Sequence, residues 1–169
     1  MVTTMDRARF GGVFNVKCLR EGNLIWEETT HNIVTTEGLN RILDVMFHAT
    51  TQTATWYAGL VETDTAEAAG MTYDVPVFTE TVSYDEATRP EWTEGASAAG
   101  SMTNASAVVF TISATKTMYG AALFSLDTKG DHTQGANNVL YCYAKFSAGR
   151  AVVDNDVINL TYTLTAADA

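Results

Sequence analysis

Apolar and polar residues alternate over several short stretches of the chain. The clearest stretch is 157–164, where Ile158, Leu160 and Tyr162 alternate with polar side chains. Successive residues of a strand point to opposite faces, so this pattern predicts a strand with one face buried in a core. Stretches of this kind, bounded by turn-forming residues, predict eight strands, at 13–19, 24–29, 55–61, 77–84, 105–112, 117–125, 139–146 and 156–165. The small and polar residues of 93–104 predict a connecting loop.

The segment 36–47 follows a different period. Its apolar residues recur every three or four positions, at Leu39, Ile42, Leu43, Met46 and Phe47. This spacing predicts an amphipathic helix. Thr35 or Thr36 can cap its start, and Glu37 suits the positive end of the helix dipole. We expect the helix to lie over one sheet or to close the open end of a sandwich.

Many short strands, one helix and no alternation of strands with helices predict an all-β fold. An antiparallel β-sandwich or barrel is expected, and the jelly roll and the immunoglobulin-like sandwich fit equally well. The length of 169 residues corresponds to one domain, which we place at 13–169. Residues 1–12 are predicted to form a flexible N-terminal arm, because Gly11-Gly12 provides a joint.

The charge balance excludes two classes of partner. The chain has 10 Lys and Arg against 20 Asp and Glu, a net charge of −10, and its basic residues are scattered. Nucleic acids and anionic membranes both require a basic face, so neither is an expected partner. No apolar run approaches the roughly 18 residues of a membrane-spanning helix, and no secretory signal is visible. Cys18 and Cys142 are predicted to be buried free thiols.

The sequence contains no motif typical of catalysis or of cofactor or metal binding. His31, His48 and His132 are isolated, without the ligand spacing of a zinc site. The acidic loops do not match a calcium-binding loop, and no nucleophile elbow or phosphate-binding loop is present. We therefore predict no catalytic, cofactor-binding or metal-binding residues and a protein that is not an enzyme.

Five residues are candidates for contact with a partner. Arg7, Arg9 and Phe10 lie in the predicted arm, which could rest on an acidic groove of a partner or be a frayed terminus. Arg89 and Trp92 flank a turn at Pro90. Arg and Trp are enriched at interface hot spots, so this pair could anchor an interface, although Trp92 could also be tucked beneath a loop.

Several motifs together resemble a known family. The segment 31–44, which begins His-Asn-Ile-Val-Thr-Thr-Glu-Gly-Leu-Asn, resembles the N-(L/I)-V-x-x-x-G-L-N-x-(L/I)-L-D signature of small structural proteins of tailed bacteriophages and prophages. Thr-Trp-Tyr-Ala-Gly-Leu at 55–60 resembles the family's T-x-W-Y-x-G-L. Weaker similarity at 84–89, 104–106, 120–123 and 159–165 extends the resemblance over about residues 13–169. The chain departs from the family at 69–77 and at Asn155-Asp156, where Gly-Asp is typical.

This resemblance implies a part of a virion. We expect a non-catalytic capsid decoration, or cement, protein that is made in the host cytoplasm and binds the outer head surface. Its expected partner is the major capsid protein, bound by a homo-oligomer with a trimer favoured. A fibre shaft would show a sequence repeat or coiled coil, and neither is present. The alternative is a tail- or fibre-associated protein that binds a host receptor or glycan, which predicts Trp56, Trp92 and Tyr73 in one exposed patch.

Overall fold

The computed structural model describes residues 8–168. This part of the chain forms ten strands and one helix: β1 Ala8–Arg20, β2 Asn23–His31, β3 Ile33–Val34, α1 Thr36–Phe47, β4 Trp56–Val61, β5 Glu91–Trp92, β6 Ser101–Thr103, β7 Val108–Thr111, β8 Lys116–Phe124, β9 Leu140–Val152 and β10 Val157–Asp168. The first sheet has the order β2-β1-β10, and the far side of β10 pairs with both β6 and β7. The second sheet has the order β3-β9-β8-β4-β5. All pairings are antiparallel, which confirms the predicted all-β sandwich with one short helix.

The main core lies between the two sheets. The alternation predicted for 157–164 is confirmed, because Ile158, Leu160 and Tyr162 of β10 are fully buried there. They pack in one cluster with residues of β1, β8 and β9. Cys18 and Cys142 are buried in the same cluster as free thiols, as predicted. The sandwich is thus held by apolar burial on the inner faces of both sheets.

A second, smaller core covers the outer face of the second sheet. Phe124 and Tyr143 on that face are covered by residues from the long irregular segment 62–90, including Tyr73 and Phe78. The strand predicted at 77–84 is wrong: only single bridges form there, at Glu80 and at Tyr84. Val77 has a φ of 67°, a left-handed conformation that interrupts an extended backbone.

One edge of the sandwich is closed by side chains of β2. Trp26 and Thr30 donate hydrogen bonds to backbone carbonyls of β9, at 2.9 and 2.8 Å. The buried carboxylate of Glu28 accepts a hydrogen bond from the Ser147 backbone N–H at 2.8 Å and pairs with Arg150. These bonds join the two sheets along the β2–β9 edge, so little of the backbone of β9 remains open there.

The N-terminal boundary differs from the sequence prediction. Ala8–Gly12 belongs to β1 and pairs with β10, from Ala8 opposite Asp168 to Gly12 opposite Leu164. A Cβ at Gly12 would lie 2.6 Å from the Tyr162 ring, so this glycine permits close packing and does not act as a joint. Residues 1–7, including Arg7, lie outside the described residues. The predicted loop at 93–104 also contains a short strand, β6.

Candidate interaction surface

The first turn of α1 is fixed firmly to β9. The Thr35 hydroxyl caps the helix by accepting a hydrogen bond from Gly38 N–H at 2.9 Å, and it donates to the Leu140 carbonyl at 2.5 Å. The Glu37 carboxylate accepts hydrogen bonds from the backbone N–H groups of Leu140 and Tyr73, at 2.7 and 3.0 Å. Burial raises the pKa of Glu37, and these two hydrogen bonds oppose that shift. Capping by Thr35, one of the two predicted residues, is therefore confirmed.

Gly38 allows this close attachment. It is the one buried residue of α1, and a Cβ there would lie 2.5 Å from the Tyr141 carbonyl oxygen. The helix therefore touches β9 through its backbone at Gly38. These anchors all lie in the first turn. Beyond it, Ile42 packs against the main core, and Arg41 donates hydrogen bonds to the Thr53 hydroxyl and the Thr51 carbonyl.

The apolar stripe of α1 is largely exposed. Its bounds agree with the predicted 36–47, and most of the stripe faces solvent. The exposed fractions rise along the helix: Leu39 38%, Leu43 53%, Met46 67% and Phe47 81%. Large apolar patches are uncommon on monomeric proteins and typically mark an interaction site. We call these four residues the α1 stripe.

An apolar pocket of about 210 Å³ lies beside α1, and we call it the α1 pocket. Ile42, Val45 and Met46 form its helix side, and Trp56 and Tyr141 form its sheet side. A second pocket of about 190 Å³ lies beneath Ile42 and shares Trp56 and Tyr141 with the first. Together the stripe and these pockets make one end of the sandwich apolar and open.

Tyr141 reaches this pocket because of a β-bulge. Leu123 pairs with Cys142 and Phe124 pairs with Leu140, which leaves Tyr141 as the extra residue of β9. Its ring packs edge-on against Trp56, with 5.4 Å between ring centroids. Its buried hydroxyl has no hydrogen-bond partner in the described part of the chain, and burial raises its pKa, so it remains a neutral, unused donor.

Two of the predicted contact residues lie at this end of the molecule. Arg9 is exposed near the start of β1, and Phe10 beside it is half-buried. Both line a wide groove of about 730 Å³, which Leu39 of the α1 stripe borders on its other side. His31 and Asn32 also line this groove. The structure thus brings Arg9 and Phe10 together with α1, an association that sequence spacing does not reveal.

Arg89 is a buried structural residue and is not exposed to a partner, contrary to the sequence prediction. Its guanidinium forms a bidentate ion pair with Glu80, with both N–O distances at 2.7 Å. It also donates to the carbonyls of Leu126 and Asp131 and lies 4.0 Å from the centroid of the Phe124 ring. One side chain therefore joins the segment 62–90 to the loop after β8. We call Arg89, Glu80 and their partners the Arg89 centre.

The Arg89 centre also includes His132 and Tyr73. His132 Nε2 lies 3.5 Å from Glu80, and its Nδ1 lies 3.1 Å from the Tyr73 carbonyl oxygen. Burial lowers the pKa of His132, while the Glu80 charge opposes this shift. Glu80 accepts hydrogen bonds from Arg89 and from Gly130 N–H, so both of its carboxylate oxygens have partners. Within residues 8–168, no three His, Cys, Asp or Glu side chains are placed to hold a metal ion.

Trp92 is likewise buried rather than exposed. It lies in β5 opposite Trp56 and donates its indole N–H to the Tyr162 carbonyl at 3.1 Å. Tyr73 is fully buried and Trp56 is half-buried. The exposed aromatic patch expected of a glycan-binding surface is therefore not formed by Trp56, Trp92 and Tyr73. Sequence reasoning missed that Tyr141 lines both pockets at the open end and that Met46 and Phe47 face solvent.

Comparison with known proteins adds no family to this description. No model of a protein family matches the chain, and no curated protein sequence is similar to it. The described residues include no helix long and apolar enough to cross a membrane.

Proposed function

We propose that this protein is a non-catalytic virion component of a tailed bacteriophage or prophage that decorates the outer surface of the head. It binds the major capsid protein as a homo-oligomer, with a trimer favoured, and stabilises contacts between neighbouring capsid subunits. The observation that carries a binding function is the open apolar end of the sandwich, formed by the α1 stripe and the adjoining pockets. The identity of the partner rests on the motif resemblance.

The shape of the chain suits a protein that bridges subunits. Its two sheets share one continuous core, and the Arg89 centre fixes the long segment 62–90 to the second sheet. Weak contacts made by several copies in one oligomer add through avidity, which raises apparent affinity by about 10²–10⁴.

The wide groove beside Arg9 is the proposed capsid contact. Arg9 is an exposed cation in a chain with a net charge of −10, and it lies at the open end rather than among the acidic loops. Arg9 and the half-buried Phe10 therefore offer a positive, partly apolar surface to an acidic partner.

Co-sedimentation tests the proposal. Purified protein is mixed with expanded heads that lack it, with complete tails and with host cells, and the bound stoichiometry is measured. We expect saturable binding to heads at a copy number that matches positions of the lattice. Binding to tails or cells without binding to heads would overturn the proposal in favour of the tail- or fibre-associated alternative.

A variant at Arg9 tests the proposed contact. Arg9→Glu is expected to weaken head binding by about tenfold or more, because it reverses a charge at the interface. Lys17→Glu is the control, since it reverses a half-exposed charge further along the same strand and loses only the solvent-exposed pair with Glu27. Equal binding by the two variants would exclude the groove as the capsid contact.

A further inference from the structure

We infer that α1 is a self-association element in which Phe47 of one copy enters the α1 pocket of another copy. This inference concerns the purified chain and does not rest on its proposed place in a virion. It rests on a protruding side chain and a matching pocket, which lie at different positions on the same helix.

The protruding group is at the C-terminal end of α1. Phe47 is 81% exposed and Met46 is 67% exposed, and they are the last two residues of the helix. The final carbonyls of a helix have no partners within the helix. The end of α1 therefore presents an aromatic ring together with backbone hydrogen-bond acceptors.

The α1 pocket has the complementary properties. An apolar cavity of about 150 Å³ is large enough to hold benzene. The α1 pocket, at about 210 Å³, is therefore large enough for a phenyl ring. Trp56 on its wall offers an aromatic partner, and Tyr141 carries a buried hydroxyl with no acceptor in the described part of the chain.

Charges flanking the two features are also complementary. Asp44 lies one turn before Phe47, on the protruding end of the helix, whereas Arg41 lines the α1 pocket. Neither side chain forms an ion pair with another residue of 8–168. When Phe47 of one copy occupies the pocket of the next, Asp44 of the first comes near Arg41 of the second. The α1 stripe itself has no charge, so its burial avoids repulsion between two acidic chains.

A second copy is therefore the occupant that the chemistry favours. Each chain supplies both the ring and the pocket, and each also supplies both charges. Because the ring and the pocket are distinct surfaces, two copies can exchange them about a two-fold axis, or several copies can close a ring. A ring of three would provide the trimer of the proposed function.

Sedimentation velocity over a range of concentrations tests the inference. We expect the wild-type protein to form a closed oligomer and Phe47→Ala to shift it to monomer. Leu24→Ala is the matched control, because Leu24 is 55% exposed on β2, and we expect it to associate like the wild type. A wild type that stays monomeric throughout, or Phe47→Ala that associates unchanged, would overturn the inference.

Charge reversal provides a second test that does not depend on removing apolar surface. Asp44→Arg and Arg41→Asp are each expected to weaken association by about tenfold or more, because each places like charges together across the contact. Mixing the two variants restores complementary pairs between unlike copies. A pair of unlike copies has complementary charges at both contacts, whereas a ring of three keeps one like-charged contact. We therefore expect the mixture to associate more strongly than either variant alone, and a mixture that associates no better than the separate variants would overturn the contact. Head binding is measured separately, so the two proposals can fail independently.

Discussion

The Arg89 centre and the open end at α1 differ in whether their polar groups have partners and whether their apolar side chains are covered. In the Arg89 centre, a fully buried cation has partners for its charge and its N–H groups, and Phe124 covers one face. At the open end, the buried Tyr141 hydroxyl has no partner among the described residues, and Met46 and Phe47 face solvent. A region whose interactions are complete within the chain serves stability. The exposed apolar side chains of the α1 stripe are the reason we expect a partner at the open end.

Removing the buried cation Arg89 is expected to have the largest effect on stability. Arg89→Ala leaves Glu80 charged, buried and without its main partner, so we expect a loss of about 3–5 kcal/mol in the free energy of unfolding. Urea denaturation followed by circular dichroism measures it. The matched control, Arg41→Ala, removes a half-exposed arginine that donates to Thr53 and Thr51, and we expect a loss of about 1 kcal/mol or less. Similar losses of unfolding free energy for the two variants would show that Arg89 stabilises the fold no more than an arginine at the open end does.

Displacing the first turn of α1 is expected to have an intermediate effect. In Gly38→Ala the added methyl would lie 2.5 Å from the Tyr141 carbonyl, so the helix must move away from β9. We expect a loss of about 1–3 kcal/mol and faster hydrogen exchange in residues 36–47. Gly11→Ala is the control, because nothing lies within 4 Å of the added atom there. Unchanged exchange in α1 would show that the helix is not fixed through Gly38.

The smallest expected effect is a pH dependence from the Arg89 centre. Burial holds the pKa of His132 below its ordinary 6.5, so protons bind the unfolded chain more readily. Stability from this residue is therefore present above pH 6.5 and is lost as pH falls towards the lower pKa of the folded state. Glu80, Arg89, Asp131 and Tyr73 face the ring and remain in place in His132→Gln.

We expect His132→Gln to flatten the dependence of the unfolding free energy on pH below neutrality. Urea denaturation at several pH values gives the slope. Replacing the exposed His48 by Gln serves as the control and should leave the wild-type slope. An identical slope in His132→Gln and in the wild type would show that His132 does not contribute to the pH dependence of stability.

The predicted features that were confirmed depend on local pattern. The helix has the predicted bounds because its five apolar residues repeat at helical spacing and Thr35 caps it. The strand at β10 was equally clear, because its apolar residues fill one face. Both patterns are carried by residues close together in the chain, where periodicity alone is sufficient.

The features that were missed depend on distant residues. Burial of Arg89 requires Glu80 and the backbone carbonyls of Leu126 and Asp131, which no local motif connects. The direction of Tyr141 is set by a bulge in the pairing of β8 with β9. Exposure of Phe47 follows from where α1 is attached, since its contacts with the rest of the chain lie in the first turn and at Arg41 and Ile42, before the last turn. The one available signal was that the apolar stripe continues to the final residue of a short helix.

The two buried thiols have a consequence for chemical durability. Burial, aided by the nearby Asp156 carboxylate, raises the pKa of Cys18 to about 12, and burial also raises the pKa of Cys142. The thiolate is the form that oxidises, exchanges disulfides and binds soft metals. Both sulfurs are thus kept in their unreactive protonated form inside the core. The fold is therefore completed without a disulfide, and burial shields both thiols from alkylation and from disulfide exchange.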